Sequence, residues 1–317
     1  MTTSEGPFRW DPSRRAQLGT LLRGEPAEQY PEFLDDLREC SARVAARAGD
    51  GRLVFVGRSP ESIHDYLAGV LEDTSRRERR TLLNLSVYNW SAGEIETLEH
   101  AGLVSLRAQL RRMGLDPAAV AAAPRPVVLV DLVSSGGTLG VVQELLVRWA
   151  GEAGVDPAAV RRRLRFVGII ARHGNRPRHW IWSRDVAWTA AYRPGALRSV
   201  AVPWRLWDYL GNRQAKAARW NPPFVWGREE MRKPPREREN LEALRLAVRV
   251  YEHGRDAAER ERFAAALAVE PEMRDRWLRR LVAELRSCGG AGGARRESRD
   301  PSGSRHWTPG PGRPGRR

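Results

Sequence analysis

The chain has 317 residues, a length that suits one large domain or two smaller ones, and an apolar fraction of 41% with twelve tryptophans can fill a core. Wholesale disorder and collagen-like repeats are thereby excluded, and two distant cysteines, Cys40 and Cys288, exclude a disulfide-stapled miniprotein. The net charge of +15 is almost wholly arginine, with Lys216 and Lys233 the only lysines among 54 basic residues and seven arginines in the last 29 positions; such a total reads as codon bias plus a basic tail, and argues against a nucleic-acid partner, because phosphate attraction needs a clustered patch.

In chain order, Phe33, Leu34, Leu37 and Val44 stand near helical spacing and predict a helix over about residues 31–47, closed by Gly49-Asp50-Gly51. Leu53 to Gly57 (LVFVG) is a continuous apolar run of the buried-parallel-strand kind. Ser59 and Pro60 then read as an N-cap followed by proline at the first helical position, and Ile63, Tyr66, Leu67, Val70 and Leu71 complete an amphipathic helix. After the arginine run from Arg76 to Arg80, a second strand is expected over Leu82 to Tyr88 and a helix over Ile95 to Met113. Pro126 to Val133 (PVVLVDLV) is the most strand-like segment, followed by Leu139, Val142, Leu145, Leu146 and Trp149 of a helix, and Arg165 to Ala171 supplies another strand. This alternation predicts an α/β fold with a central, mainly parallel sheet.

Residues 180–226 hold seven of the twelve tryptophans, read as a hood or as a stacking surface, and two or three helices follow Glu237. The expected division is an N-terminal helical lead (1–50), an α/β domain with a Trp-rich hood (51–230), a C-terminal helical appendage (231–288) and a disordered basic tail (289–317). No apolar run approaches the roughly 20 residues that cross a bilayer, and MTTSEGPFRWDPSRR has no hydrophobic leader core, so a cytoplasmic protein without a membrane partner is expected. The oligomeric state stays open, a homodimer included.

The chemistry concentrates in Val127 to Leu139 (VVLVDLVSSGGTL). A buried strand ends in an acid, a Gly-Gly turn lets the backbone curl, and a helix begins at once. Backbone N–H groups and the hydroxyls of Ser134, Ser135 and Thr138 then converge at the positive end of a helix dipole, a place that binds a phosphate monoester. Asp131, beside it, is able to accept hydrogen bonds from two vicinal hydroxyls, so a sugar phosphate is the matching ligand. The plainer reading is a structural turn with Asp131 as a satisfied surface carboxylate. Neither the Walker pattern nor GxGxxG is present.

These residues resemble the phosphoribosyl-diphosphate (PRPP) binding motif of the type I phosphoribosyltransferases. The resemblance covers roughly residues 50–210 and implies that family's sheet, with transfer of 5-phosphoribose from PRPP to a nucleobase or another small acceptor and release of pyrophosphate. By this resemblance Asp131 holds the ribose hydroxyls, Ser134, Ser135, Gly136, Gly137 and Thr138 hold the 5-phosphate, and Mg2+ arrives with PRPP rather than on direct protein ligands. The loop Gly57, Arg58 and Ser59 is similar to the family's pyrophosphate loop, with Arg58 as the cation that joins Asp131 in catalysis. Val130 departs from the pattern, standing where the first of two acids would be, and Ser134 replaces an acid frequent in purine salvage members. Leu85 to Asn89 is similar to the Ser-Tyr element of a mobile loop. Ser199 to Tyr209 resembles a late strand with Pro-Trp, making Trp204, Trp207 and Asp208 candidates for facing the acceptor.

The alternative on the same fold is a non-catalytic sensor of PRPP or a nucleotide, and a weaker third reading is a nucleic-acid-binding accessory protein. Elsewhere, His173 and His179 lack metal-ligand company, His64 reads as a surface residue, and Cys40 lacks a charged setting. The arginine runs 76–80 and 161–163 read as solvated faces, the first with pyrophosphate contact as the alternative.

Overall fold

The computed structural model describes residues 6–97, 100–172 and 181–294. The runs 52–56, 127–132 and 164–171 are almost continuously buried, because these central strands are covered on both faces and both sets of alternating side chains need apolar surroundings. With the half-exposed strands 80–83 and 197–202 at the edges they form one all-parallel sheet in the order 80–83, 52–56, 127–132, 164–171, 197–202. In chain order the principal elements are α1 (Phe33–Ala48), β1 (Arg52–Val56), α2 (Glu61–Val70), β2 (Arg80–Leu83), α3 (His100–Arg112), β3 (Val127–Leu132) and α4 (Gly137–Glu152). Then come β4 (Leu164–Ala171), β5 (Leu197–Val202), α5 (Arg238–Arg255), α6 (Ala257–Ala268) and α7 (Arg276–Ala294).

Two cores sandwich the sheet. Val128 and Val130 of β3 pack with α1, α2 and the C-terminal helices, while Val127 and Leu129 pack with α3, α4 and the short helices Pro117–Ala122 and Pro157–Arg163. The C-terminal helices are therefore not an appendage: Leu246, Val250, Phe263, Leu278, Leu281 and Leu285 share a core with Phe33, Phe55 and Tyr66. Their seam is a glycine crossing, since a Cβ on Gly69 of α2 would fall 2.1 Å from the Tyr251 carbonyl, and one on Gly254 of α5 2.6 Å from the Tyr66 carbonyl.

Several expectations shift. The second strand ends at Leu83, because Asn84 bonds across the chain: its amide donates to the Arg219 carbonyl (3.2 Å), and its own carbonyl accepts from the Asn221 side chain (2.9 Å). The helix expected over 95–113 is divided. A short helix Ala92–Glu96 opens on a capping box between Ser91 and Glu94, and α3 follows as a separate helix. Ser59 is not a cap, as Pro60 occupies the N-cap position and α2 starts at Glu61. Residues 289–294 continue α7 as helix instead of belonging to the tail, and 295–317 lie outside the described residues. No helix among the described residues is long and apolar enough to cross a membrane.

β2 lies on one side of β1, and β3, β4 and β5 on the other. The connections from β1 thus diverge, and open parallel sheets leave a crevice outside the carboxyl ends of the strands at such a switch point. Both loops singled out from sequence, after β1 and after β3, flank it.

Candidate active site

Period-two alternation along β3 puts Asp131 on the α4 side of the sheet and Val130 on the opposite side, where it is wholly buried. The motif's missing acid is therefore a packing residue here. Asp131 is itself buried, so it is not a surface carboxylate. Its Oδ1 accepts from the Leu132 N–H (2.8 Å), and Thr138, in the first turn of α4, favours the charged form of the carboxyl group. The acid thus stands beside the turn.

Ser134, Ser135 and Gly137 are exposed, and Gly136 takes the left-handed conformation (φ 78°) that turns the chain into the helix. Among the described residues no side chain caps α4; the nearest substitute is a long bond from the Gly137 N–H to Ser135 Oγ (3.4 Å). A sixteen-residue helix therefore presents free first-turn amides, the arrangement that receives an anion.

Beside the turn, on the β4 and β5 side, lies a cleft of about 420 Å³ lined by Val133, Ser134, Arg172, Trp182, Trp204 and Trp207, among others. The Trp204 and Trp207 rings stack, with centroids 5.4 Å apart and planes 23° from parallel. Trp207 donates to the Ile169 carbonyl (3.2 Å), whereas Trp204 is 56% exposed. Asp208 does not line the cleft: Arg213 (2.7 Å) and the Asn212 amide (2.9 Å) hold it. Trp182 is a core residue laid over Gly168, the β4 neighbour of Asp131; a Cβ there would lie 2.5 Å from the indole. His173, His179 and Trp180 lie outside the described residues.

The loop after β1 differs from its expected form. Segment 214–218 packs over Arg58 and the first turn of α2. The Ala217 N–H donates to Glu61 Oε2 (3.1 Å), Gln214 Nε2 to Ser62 Oγ (2.7 Å), and Arg58 makes a long bond to the Ala218 carbonyl (3.4 Å). None of Gly57, Arg58 and Ser59 lines the cleft. Burial holds the Arg58 guanidinium below its ordinary range, with Glu61 and Glu239 opposing.

Sequence reasoning passed over Lys216. Its ammonium sits under the roof, donating to the Leu210 carbonyl (2.5 Å) and Gln214 Oε1 (3.2 Å). Burial pushes it down to about 8, against the pull of Glu61 and Asp131. Around it stand Glu61, with Oε1 buried and unbonded, and Asp65, held by Arg9 (2.6 Å) and His64 (3.1 Å); His64 is a partner in this network and not a surface residue. Composition gave no signal for it, since the other lysine, Lys233, is an exposed residue paired with Glu229 (3.0 Å).

Burial likewise pushes Asp131 up from its ordinary 3.8 to about 8, opposed by its bond from Leu132, by Thr138 and by Lys216. A carboxyl with a raised folded pKa supports the fold at low pH, so its contribution is whole below 3.8 and lost as pH rises through about 8. For Lys216, lowered from 10.5, the contribution is whole above 10.5 and lost as pH falls through about 8. The pair supports the fold least near pH 8. Asp131→Asn removes the acid limb, so urea unfolding is expected to show the variant gaining on the native chain between about pH 5 and 8, by up to about 1.4 kcal/mol per pH unit. Parallel stability curves would mean that Asp131 titrates as an ordinary carboxylate.

Among the described residues no group of three or more His, Cys, Asp or Glu gathers as a metal site. Comparison of the chain with family models, with curated proteins and with solved structures gave no match in any of the three.

Proposed function

We propose that the protein is a cytoplasmic phosphoribosyltransferase of the type I kind, moving 5-phosphoribose from PRPP to a small planar acceptor. The observation that carries this reading is the β3–α4 turn. A buried acid stands beside the first turn of an uncapped helix, at the switch point of a parallel sheet, with an aromatic cleft alongside.

In this mechanism the first-turn amides of α4 and the Ser134 and Ser135 hydroxyls bind the 5-phosphate, while Asp131 orients the ribose hydroxyls. Magnesium bound with PRPP supplies positive charge to the pyrophosphate oxygens. At neutral pH the site holds a protonated Asp131 beside the Lys216 ammonium and Arg58, a balance that draws in an anion. The bond from ribose C1 to the pyrophosphate oxygen breaks, and its electron pair leaves with pyrophosphate. The acceptor's lone pair forms the new bond to C1 and its proton passes to solvent. Fixed charge, positioning and exclusion of water from an oxocarbenium-like C1 supply the acceleration. Trp204 offers its exposed face to the acceptor.

The roof over Arg58 favours a second reading on the same pocket, a PRPP sensor without turnover. Incubation with Mg2+, PRPP and a panel of nucleobases and amines is expected to release pyrophosphate. Trp204→Ala is then expected to raise the acceptor KM about tenfold, the worth of one stacked ring, with PRPP affinity unchanged. PRPP binding without turnover across the panel supports the sensor, and no PRPP binding at all removes both readings.

A further inference from the structure

The opposite end of the sheet carries a second concentration of charge that the PRPP reading does not use. Asp50 precedes β1, Arg79 precedes β2 and Arg125 lies just before β3, so the amino ends of three adjacent strands meet here, a full strand length from the turn after β3. Asp50 is saturated: Arg76, Arg79 (2.6 Å) and Arg125 (2.9 Å) all pair with it. Across an open groove of about 880 Å³, Arg274, Arg276, Arg279 and Arg280 form the facing wall at the start of α7. Seven arginines thus line a groove that holds two aspartates, Asp50 and Asp275.

Folding alone does not favour this arrangement. The amino end of a helix repels cations, yet α7 begins with arginine and has another two residues earlier. Among the described residues no carboxylate pairs with Arg274 or Arg276, whereas Arg280 is held by Glu284 (2.9 Å). Past Asp50 and Asp275 the groove continues into a hollow bordered by Arg165, whose guanidinium is held below its ordinary range by burial and by Arg193 and Arg163. The two arginine runs of the sequence therefore converge on one end of the sheet, remote from any pyrophosphate at the other.

We propose that this groove binds the phosphodiester backbone of a nucleic-acid duplex, independently of sequence. Its continuation into a second hollow suits a chain of phosphates better than a single one, and its concave two-walled form does not match a flat lipid surface. A duplex is favoured over a single strand by Trp277. Single-strand binders lay bases on free aromatic faces, but Trp277 packs against the core and carries the Arg76 guanidinium 4.3 Å from its ring centroid. The composition gave only a charge total; the fold supplies the patch.

The test uses the full chain and a fluorescent mixed-sequence DNA duplex of about 20 base pairs, followed by anisotropy across a salt series. The native chain is expected to bind with a steep salt dependence. The triple variant Arg274→Glu, Arg276→Glu, Arg279→Glu is expected to bind at least about thirtyfold more weakly at 0.1 M salt, with the log–log slope shallower by roughly 3. Arg276→Ala, on an exposed side chain, is expected to lose about threefold and makes the same test with least risk to the fold. Equal binding by these variants would assign the affinity to another region, residues 295–317 included, and would overturn the proposal. So would tighter binding of the single strand than of the duplex, or no duplex binding at about 0.05 M salt.

Discussion

Asp131→Asn is expected to weaken PRPP binding about a hundredfold or more while leaving the fold intact. A carboxylate accepting hydrogen bonds from two vicinal hydroxyls contributes about 1.5–3 kcal/mol for each. An amide of the same size keeps the packing but is unable to ionise when the ligand arrives, and it offers one oxygen acceptor where the carboxylate offers two. The same substitution removes a buried group whose ionisation opposes folding, so the ligand-blind variant is at least as stable as the native chain at neutral pH. Gly137→Val addresses the other half of the pocket. Its side chain projects from an exposed position over the free amides of α4, with Cβ in ordinary contact with Ser135 Oγ (3.4 Å). Calorimetric titration of PRPP with Mg2+ into each variant reads the result directly. Affinity unchanged in both would remove the phosphate turn, and with it the whole functional reading.

The largest expected loss of stability comes from the glycine crossing and not from the site. Gly69→Ala places a methyl group 2.1 Å from the Tyr251 carbonyl oxygen, a backbone atom that moves only if α5 moves. Overpacking of this kind costs about 3 kcal/mol, the upper end of its usual range, and for a chain of this size the melting temperature is expected to fall by roughly 4–5 °C. Gly254→Ala meets the Tyr66 carbonyl at 2.6 Å and should behave alike. Gly93→Ala is the control, since nothing lies within 4 Å of a Cβ there. Thermal unfolding that shows Gly69→Ala as mild as Gly93→Ala would mean that the two helices are not pressed together.

What the amino-acid order reveals, and what it conceals, follows from the distance over which each feature is decided. The runs that became β1, β3 and β4 are largely continuous and apolar, and burial on both faces leaves that mark locally, whereas the edge strand β5 carries Arg198 and Ser199 and was suggested only by the resemblance. The β3–α4 turn was legible for the same reason: acid, glycine pair and hydroxyls all lie within eight residues. The end of β2 was not, because Asn84 is claimed by residues more than 130 positions away. Lys216 and the roof over Arg58 were hidden likewise, as the chain returns across α2 only after completing the sheet. The arginine groove draws its walls from three separated stretches, so a count of charges finds the arginines but not their company.

The Gly69–Gly254 contact also bears on how small a working piece of this protein is able to be. Helix α2 begins at the loop carrying Arg58 and ends where α5 bears upon it, so the C-terminal helices brace the helix from which that loop departs. A fragment stopped after β5 would keep the motif yet lose segment 214–218 and bare the oily flank of Phe55, Tyr66 and Val130. The smallest piece with a closed core accordingly extends to Leu285, far downstream of the residues proposed to hold PRPP.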